Sequence, residues 1–358
     1  MYGPSTGFYS SGVGSAGRSG DFLTSPELGP LFGAVLAQAL DGWWESLGAP
    51  DPFFVVEAAA GAGTLAKAVL DASPECSGAL RYLLVERSDA LRERQPSLLA
   101  VEPPALVLGP MSAARDDEDD DLQVVPGRGP LVASLSDLPA GPLVGVVLAN
   151  ELLDNLPFSL VKRTAEGWCE VRVGEEDGAL VEVLVPAPDD VAVLASRLAP
   201  DATIGARIPL QDRAGEWLRS AMRVLSRGRV VVVDYASTTA DLAARPQAEW
   251  LRTYRSGGPG GDPLDRPGTQ DITCEVCIDQ LPPPTLDRSQ AEFLEANGMS
   301  ALVAAARSHW LASAAAPDLA ALKARSRTTE AAALSDPTGL GAFRVLQWVL
   351  GPTSHAPA

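Results

Sequence analysis

The chain has 358 residues, 46% of them hydrophobic, and a formal net charge of -18 at pH 7. That is enough apolar content for one large domain or one domain with additions, and the aperiodic Gly and Pro exclude collagen-like and low-complexity classes. The acidic field repels phosphate backbones, so a nucleic-acid partner is disfavoured; it suits a neutral small molecule or a partner bearing arginine or lysine, or it serves solubility alone.

Residues 1–23 read as a Gly- and Ser-rich loop. "TSPE" then opens a helix, with Thr24 or Ser25 as cap, Pro26 in the first turn and Glu27 completing a capping box; the helix runs to about Leu47. "FFVVEA" (53–58) reads as a buried strand, 64–72 as a helix, "RYLLVE" (81–86) as a second strand, 88–95 as a helix and "ALVLG" (105–109) as a third strand. "RDDEDDD" (115–121) repels itself and reads as a solvated loop, the alternative being a site for a basic partner. "LVGVVLAN" (143–150) is a fourth buried strand. Alternation over 158–185 predicts antiparallel hairpin character, an insertion spanning 158–203. Then come a helix over 211–226, "GRVVVVDY" (228–235) as a fifth strand, and a Gly/Pro-rich loop over 255–269. "DITCEVCI" (271–278) reads as a strand, 288–297, 299–312 and 317–334 as helices, and "FRVLQWVL" (343–350) as the closing strand.

Cys274 and Cys277 form a lone C-x-x-C. A structural zinc site needs about four ligands, and with no second pair and only His309 and His355 as histidines, two ordinary strand residues and no metal are expected. The four cysteines suggest no disulfide framework, which fits a reducing compartment. No signal peptide and no run of about twenty apolar residues are apparent, so the expectation is a cytoplasmic protein without a membrane partner.

Apolar strands alternating with helices predict an α/β fold with a doubly wound, mostly parallel sheet, whose ligands bind beyond the carboxyl ends of the strands. The residues to read there are 57–63, Glu86, 150–154 and Asp234-Tyr235. Gly61-Ala62-Gly63-Thr64-Leu65-Ala66 fits G-x-G-x-x-A, and Glu86 follows about twenty residues on, as in a dinucleotide site where an acid takes the ribose hydroxyls. The motif alone permits NAD or S-adenosyl-L-methionine (SAM), or a plain strand-to-helix turn. SAM carries a sulfonium and an ammonium group and no phosphate, so the acid Glu57 just ahead of the turn favours it and would repel a pyrophosphate. "ANELLDNLPF" (149–158) sets Asn150, Glu151 and Asp154 after the fourth strand, where the carboxylates face the crevice; the alternative is a capped short helix.

With these residues together, the chain resembles the MidA-like family of class I SAM-dependent methyltransferases, whose mitochondrial members are complex I assembly factors that methylate arginine on a partner protein. The resemblance is carried by "GFYS" (7–10), "GDFLTSPELGPLFG" (20–33), "VVEAAAGAGTLA" (55–66), "YLLVERSDALRERQ" (82–95), "LANELLDNLPF", "GRVVVVDY", "WLRTYRSGG", "PGTQDIT" and "QAEFLEANGM", in order over nearly the whole chain. It implies a seven-stranded Rossmann-like sheet with the last strand antiparallel. In that frame 1–52 is an N-terminal loop and helix acting as a lid. Residues 53–157 and 204–358 form the methyltransferase core, with helical substrate-side additions at about 279–335. The resemblance further implies that Glu57 and the turn with Ala59, Gly61 and Gly63 meet SAM, that Glu86 binds its ribose, and that Asn150 lies near the transferred methyl. Two departures stand out. Ala59 and Ala60 replace the family's Gly and Pro, and a positive φ at Ala59 would cost roughly 1 kcal/mol. Glu275 and Cys277 replace a His and an Asp of the "DIT" block.

Methyl transfer is an in-line displacement, so catalysis is mostly positioning. An arginine acceptor stays protonated until late and needs carboxylates to pin it and take its proton. Glu151 and Asp154 are the candidates, with Asp21, Phe22, Glu27 and Tyr235 on the substrate side. The alternatives are transfer to a small molecule or another side chain, a SAM-binding assembly or scaffold protein with weak turnover, and a NAD-dependent oxidoreductase. The partner is thus a methyl-acceptor protein or small molecule, and a homodimer is left open.

Overall fold

Four apolar runs, 53–58, 80–85, 143–150 and 225–234, are buried on both faces over most of their length, which requires a sheet covered on both sides. The structure, a computed structural model, describes residues 24–109, 127–255, 258–313 and 318–351. In chain order the strands are β1 (Phe53–Ala58), β2 (Leu80–Val85), β3 (Val101–Glu102), β4 (Leu131–Leu135), β5 (Leu143–Asn150), β6 (Ser159–Arg163), β7 (Trp168–Glu176), β8 (Ala179–Pro186) and β9 (Arg207–Leu210). They continue as β10 (Leu225–Asp234), β11 (Ala236–Ser237), β12 (Leu251–Arg255), β13 (Gly258–Pro259), β14 (Asp271–Cys274), β15 (Val276–Cys277), β16 (Leu286–Ser289) and β17 (Arg344–Leu350).

The chain divides into two compact units. Of the described residues, the larger takes 24–150, Ala221–Val233 and those from Thr285 on; the smaller takes Glu151–Ser220 and Asp234–Pro284. The larger holds one sheet in the order β16-β17-β10-β5-β1-β2-β4-β3. β1 runs parallel to β2 and to β5, β5 parallel to β10, and β2 and β3 parallel to β4. The last strand, β17, is antiparallel to β16. Strand order reverses at β1 and β5, the switch point whose carboxyl ends form the crevice of an open α/β sheet. The helix Leu31–Ser46 covers the sheet, burying Leu31, Phe32, Val35, Leu36 and Leu40 in one core with Phe53, Val55, Val146, Leu148 and Val231. Its first N–H groups have no partner within the helix and, where buried, need an acceptor. Glu330, from the helix Leu319–Leu334, supplies it: Oε2 accepts the Leu31 N–H at 3.0 Å across 299 residues of chain. A Cβ at Gly29 would lie 2.3 Å from Glu330 Cδ, so a side chain there would have to push this carboxylate aside.

The smaller unit holds an antiparallel sheet in the order β8-β7-β6-β9, a three-stranded sheet β13-β12-β14 and the short pair β11-β15. The antiparallel strands expected over 158–185 form β6 to β8, and the compact unit around them takes in 151–157, 204–220 and 234–284 besides 158–203.

Three expectations are corrected. The sheet has eight strands and not seven, the extra one being the two-residue edge strand β3. The run 105–109 is not the third strand: Pro104 at the first position starts a short helix, Pro104–Leu108, and β4 takes the place beside β2. The N-terminal helix breaks at Gly29-Pro30 into Ser25–Leu28 and Leu31–Ser46. The acidic run 115–121 lies outside the described residues.

Candidate active site

β1 ends at Ala58 and the helix Thr64–Asp71 begins six residues later. The link turns back sharply enough that Ala59, Gly61 and Gly63 all have positive φ, of 54°, 54° and 90°. Ala60 is buried in the core and its N–H donates to Val85 O at 3.1 Å. A Cβ on Gly61 would meet nothing within 4 Å, so the backbone faces open space that a ligand can fill closely. Glu86, just past β2, holds this backbone: its Oε2 accepts the Gly61 N–H at 2.9 Å and its Oε1 the Ser88 N–H at 2.8 Å. Each oxygen keeps a further lone pair, the chemistry a ribose diol needs. From the other side the fully buried Gln95 donates Nε2 to Gly61 O at 2.8 Å. Gln95 was not singled out from the sequence, although it closes the block "YLLVERSDALRERQ" (82–95), because nothing in a polar stretch says which side chain turns inward to the glycine turn.

Ala59 does adopt the strained conformation its position demanded. Ala59→Gly is therefore expected to stabilise the fold by about 1 kcal/mol, whereas Gly61→Ala at the same φ destabilises it by a similar amount. Paired thermal melts check this, and a lower melting temperature for Ala59→Gly would remove the strain argument.

Glu57, expected to meet the cofactor, has its carboxyl engaged inside the turn. Only 4% exposed, it accepts the Tyr82 hydroxyl at 2.6 Å and the Ala66 N–H. Burial pushes its pKa up to about 7, against the lowering effect of those two bonds. Glu27 accepts the Thr24 N–H at 3.3 Å, as a capping box does, and burial raises its pKa. Asp21 and Phe22 lie outside the described residues.

β5 ends at Asn150, paired in register with Val233. The next residue, Glu151, has φ 52°, a conformation costly for a side chain of its kind and a frequent companion of functional sites. The turn that follows places Asp154 in a buried carboxylate cluster of the smaller unit. Asp154 is 3% exposed, and Asp234 and Asp271 are fully buried. Tyr235 donates its hydroxyl to Asp154 Oδ2 at 2.6 Å, and Arg252 stands over the Tyr235 ring at 5.9 Å. Asp234 is held by backbone: Oδ2 accepts the Leu153 and Asp154 N–H groups at 3.0 and 3.3 Å, and Oδ1 accepts the Tyr235 N–H at 3.0 Å. Asn155 donates Nδ2 to Asp271 Oδ1 at 3.3 Å. Asp154 Oδ1 is buried with no hydrogen-bond partner among the described residues. Burial, with the negative charge of Asp271 adding to it and the Tyr235 bond opposing it, pushes the Asp154 pKa up to about 7; burial, with Asp154 and Glu151 adding to it, raises Asp234 well above the usual range. Such a cluster can accept a proton at neutral pH, which an ordinary surface aspartate does poorly. Among the described residues no group of three or more His, Cys, Asp or Glu is arranged to hold a metal. Asp271 and Asn155 were not singled out from the sequence; Asp271 opens the "DIT" block, which was a usable signal.

Comparison with known proteins fits this geometry. A crystal structure described as a "likely methyl transferase from Burkholderia thailandensis bound to S-adenosyl-homocysteine" is 28% identical, superposes with a TM-score of 0.77, and is matched over 98% of this chain and 85% of that one. Among curated proteins, the "Protein arginine methyltransferase NDUFAF7, mitochondrial" of Mus musculus is 29% identical over 286 residues, 74% of this chain. The corresponding homolog of Drosophila melanogaster is 25% identical over 268 residues, 73% of this chain. The chain spans 59% of the length of each of these two relatives. Their names correct one expectation: they are mitochondrial, which points away from a cytoplasmic location. The family described as "Putative S-adenosyl-L-methionine-dependent methyltransferase" matches residues 35–297, well over half of the chain, and the chain belongs to that family.

Proposed function

We propose that this chain transfers a methyl group from SAM to a nitrogen of a protein arginine side chain. The observation that carries the reading is the glycine turn with open space at Gly61 and the Glu86 carboxylate against it, in a chain of the methyltransferase family. The arginine acceptor is the one named for the curated relatives. The carboxylates of the smaller unit support it, since a guanidinium needs both a counter-charge and a proton acceptor.

When bound, SAM supplies an electrophilic methyl on a sulfonium. Glu86 accepts from the ribose hydroxyls with the lone pairs its backbone bonds leave over, and Gln95 and Glu57 hold the turn in shape. Asn150 orients the reacting groups at the end of β5. Glu151 pins the guanidinium, and Asp154, held by Tyr235, takes its proton late in the reaction. With SAM bound, the methyl would pass from its sulfonium to the guanidinium nitrogen, and the proton that nitrogen gives up would go to the Asp154 carboxylate.

A second reading, a SAM-binding assembly protein with weak turnover, draws on the strained Ala59. Calorimetric titration with S-adenosylhomocysteine and NAD, followed by incubation of arginine-bearing peptides with methyl-labelled SAM, separates the readings. S-adenosylhomocysteine should bind and NAD should not. Glu86→Gln should weaken binding at least tenfold, the effect of losing a charged hydrogen bond to the ribose. Binding without label transfer would favour the assembly protein; tight NAD binding alone would end both readings.

A further inference from the structure

The four-stranded sheet of the smaller unit packs a core against part of one face and leaves much of its long β7–β8 ribbon exposed, with Val183 43% and Val185 39% exposed on that same face. Cross-strand partners share a face, so Val161 and Trp168, with Ile208 and Leu210, lie on the covered side. They are buried in one core with Ala195 and Ala199, at the end of the helix Asp189–Leu198. The other face carries the row Leu160, Val171 and Leu184, then Val173 opposite Glu182, then Leu180 opposite Glu175. Leu160 packs against a second core around Leu242, Trp250 and Leu251, but beyond it the row is open: Val173 is 60% exposed, Leu184 43% and Leu180 40%. A cleft of about 800 Å³ opens on it, lined by Leu160, Val171 and Val173 and walled by Asp262, Pro263 and Leu264.

One end of the cleft is bordered by residues that adjoin the buried carboxylates. Asn155 and Ile272 line it, and Asn155 bonds Asp271 while adjoining Asp154. Its charges are uneven. Arg207 is neutralised by Glu182 and also donates to Gln247 Oε1 at 2.7 Å. Asp262 at one end, and Glu175, Glu176 and Asp177 at the tip of the β7–β8 ribbon, have no ion-pair partner among the described residues, though Asp262 attracts Arg207.

We propose that this open face is a docking groove for an extended segment of the methyl-acceptor protein, one with apolar side chains flanked by lysine or arginine. A small molecule would be enclosed by the cleft and would leave Leu180 and Leu184 exposed beyond it. A second copy of the chain would set the acidic ribbon tips and a net charge of -18 against themselves. An acceptor segment meets all three features, covering the apolar row, answering the acids at both ends and reaching the residues that adjoin the carboxylates. The term acceptor rests on the methyl-transfer reading; the docking does not.

The test uses the full chain and two fluorescein-labelled twelve-residue probes of alternating valine and threonine, one flanked by arginines and one by glutamates. Fluorescence anisotropy should show the arginine-flanked probe binding at least tenfold tighter. The double variant Val173→Ser/Leu184→Ser should weaken it at least tenfold, and Asp262→Asn severalfold. Circular dichroism melts and S-adenosylhomocysteine titration on the same samples verify that the variants are folded. Equal binding of the two probes, or unaltered binding by the double variant, overturns the proposal. So does a wild-type dimer in sedimentation that the double variant abolishes, which would make this face a contact between copies. If S-adenosylhomocysteine fails to bind while the arginine-flanked probe behaves as expected, the methyl-transfer reading falls and the groove stands.

Discussion

Asp154→Asn should reduce methyl transfer at least a hundredfold, leave S-adenosylhomocysteine affinity within twofold, and make the protein more stable above pH 7. The three outcomes share one cause. Asp154, Asp234 and Asp271 are buried together, and burial with mutual repulsion raises the first two. A carboxylate with a pKa near 7 is a stronger base than a surface aspartate, and a positioned general base contributes roughly a hundredfold to ten-thousandfold. Asparagine cannot accept the proton, yet its carbonyl can still receive the Tyr235 hydroxyl, so the local structure persists. Removing one like charge from the cluster should add about 1–2 kcal/mol of stability where the carboxyl would otherwise be ionised. Label-transfer assays and melts on the same preparations decide the matter. Retained transfer with a lower melting temperature would make Asp154 a structural post for Tyr235 and not a base.

The second large effect is a pH dependence opposite to the common acid-denaturation pattern. Glu57 and Asp154 are each pushed up to about 7 by burial, from ordinary values of 4.5 and 3.8. Between the ordinary value and 7 the folded state binds more protons than the unfolded chain. The stability each group contributes is therefore fully present below its unfolded pKa and is lost as pH rises through about 7. Each adds a slope of about 1.4 kcal/mol per pH unit inside that window. The net negative charge, growing over the same range, acts in the same direction. Several carboxylates with lowered pKa, such as Asp241, Glu292 and Asp336, act oppositely but are nearly or fully solvent-exposed, where such effects are small. Melting temperatures at pH 5.5, 6.5 and 7.5 should fall in that order, and Glu57→Gln should flatten the trend, since the Tyr82 and Ala66 donors still find an amide oxygen. A rise in melting temperature from pH 5.5 to 7.5 would sink the argument.

Much of the fold was legible because its central strands are buried on both faces. Continuous apolar runs such as "FFVVEA" and "LVGVVLAN" have few other ways to be satisfied. Edge strands gave no such signal. Leu286–Ser289, in the polar run "LDRS", was not expected at all, and "ALVLG" read as a strand although Pro104 makes it a helical turn. A four-residue apolar run does not distinguish the two by periodicity. Topology drew the reading to Glu86, Asn150 and Asp154, because ligands of an open α/β sheet bind beyond the strand ends. What pattern could not supply was where each carboxyl points. Glu57 turns inward to Tyr82, and Asp154 gathers with Asp234 and with an aspartate more than a hundred residues away. Those are long-range packing facts, as is the amide of Gln95 on the turn.

The Glu330 contact to Leu31 has a consequence for biosynthesis. The ribosome emits about 5–20 residues per second, so roughly 15–60 s separate the first turn of that helix from the carboxylate that caps it. β16 and β17, which complete the large sheet beyond β10, emerge over the same late interval. Throughout it the nascent chain carries an unfinished sheet edge and an apolar helix face. Closure of the large sheet thus waits for its last two strands, and a holding chaperone has a defined window in which to act.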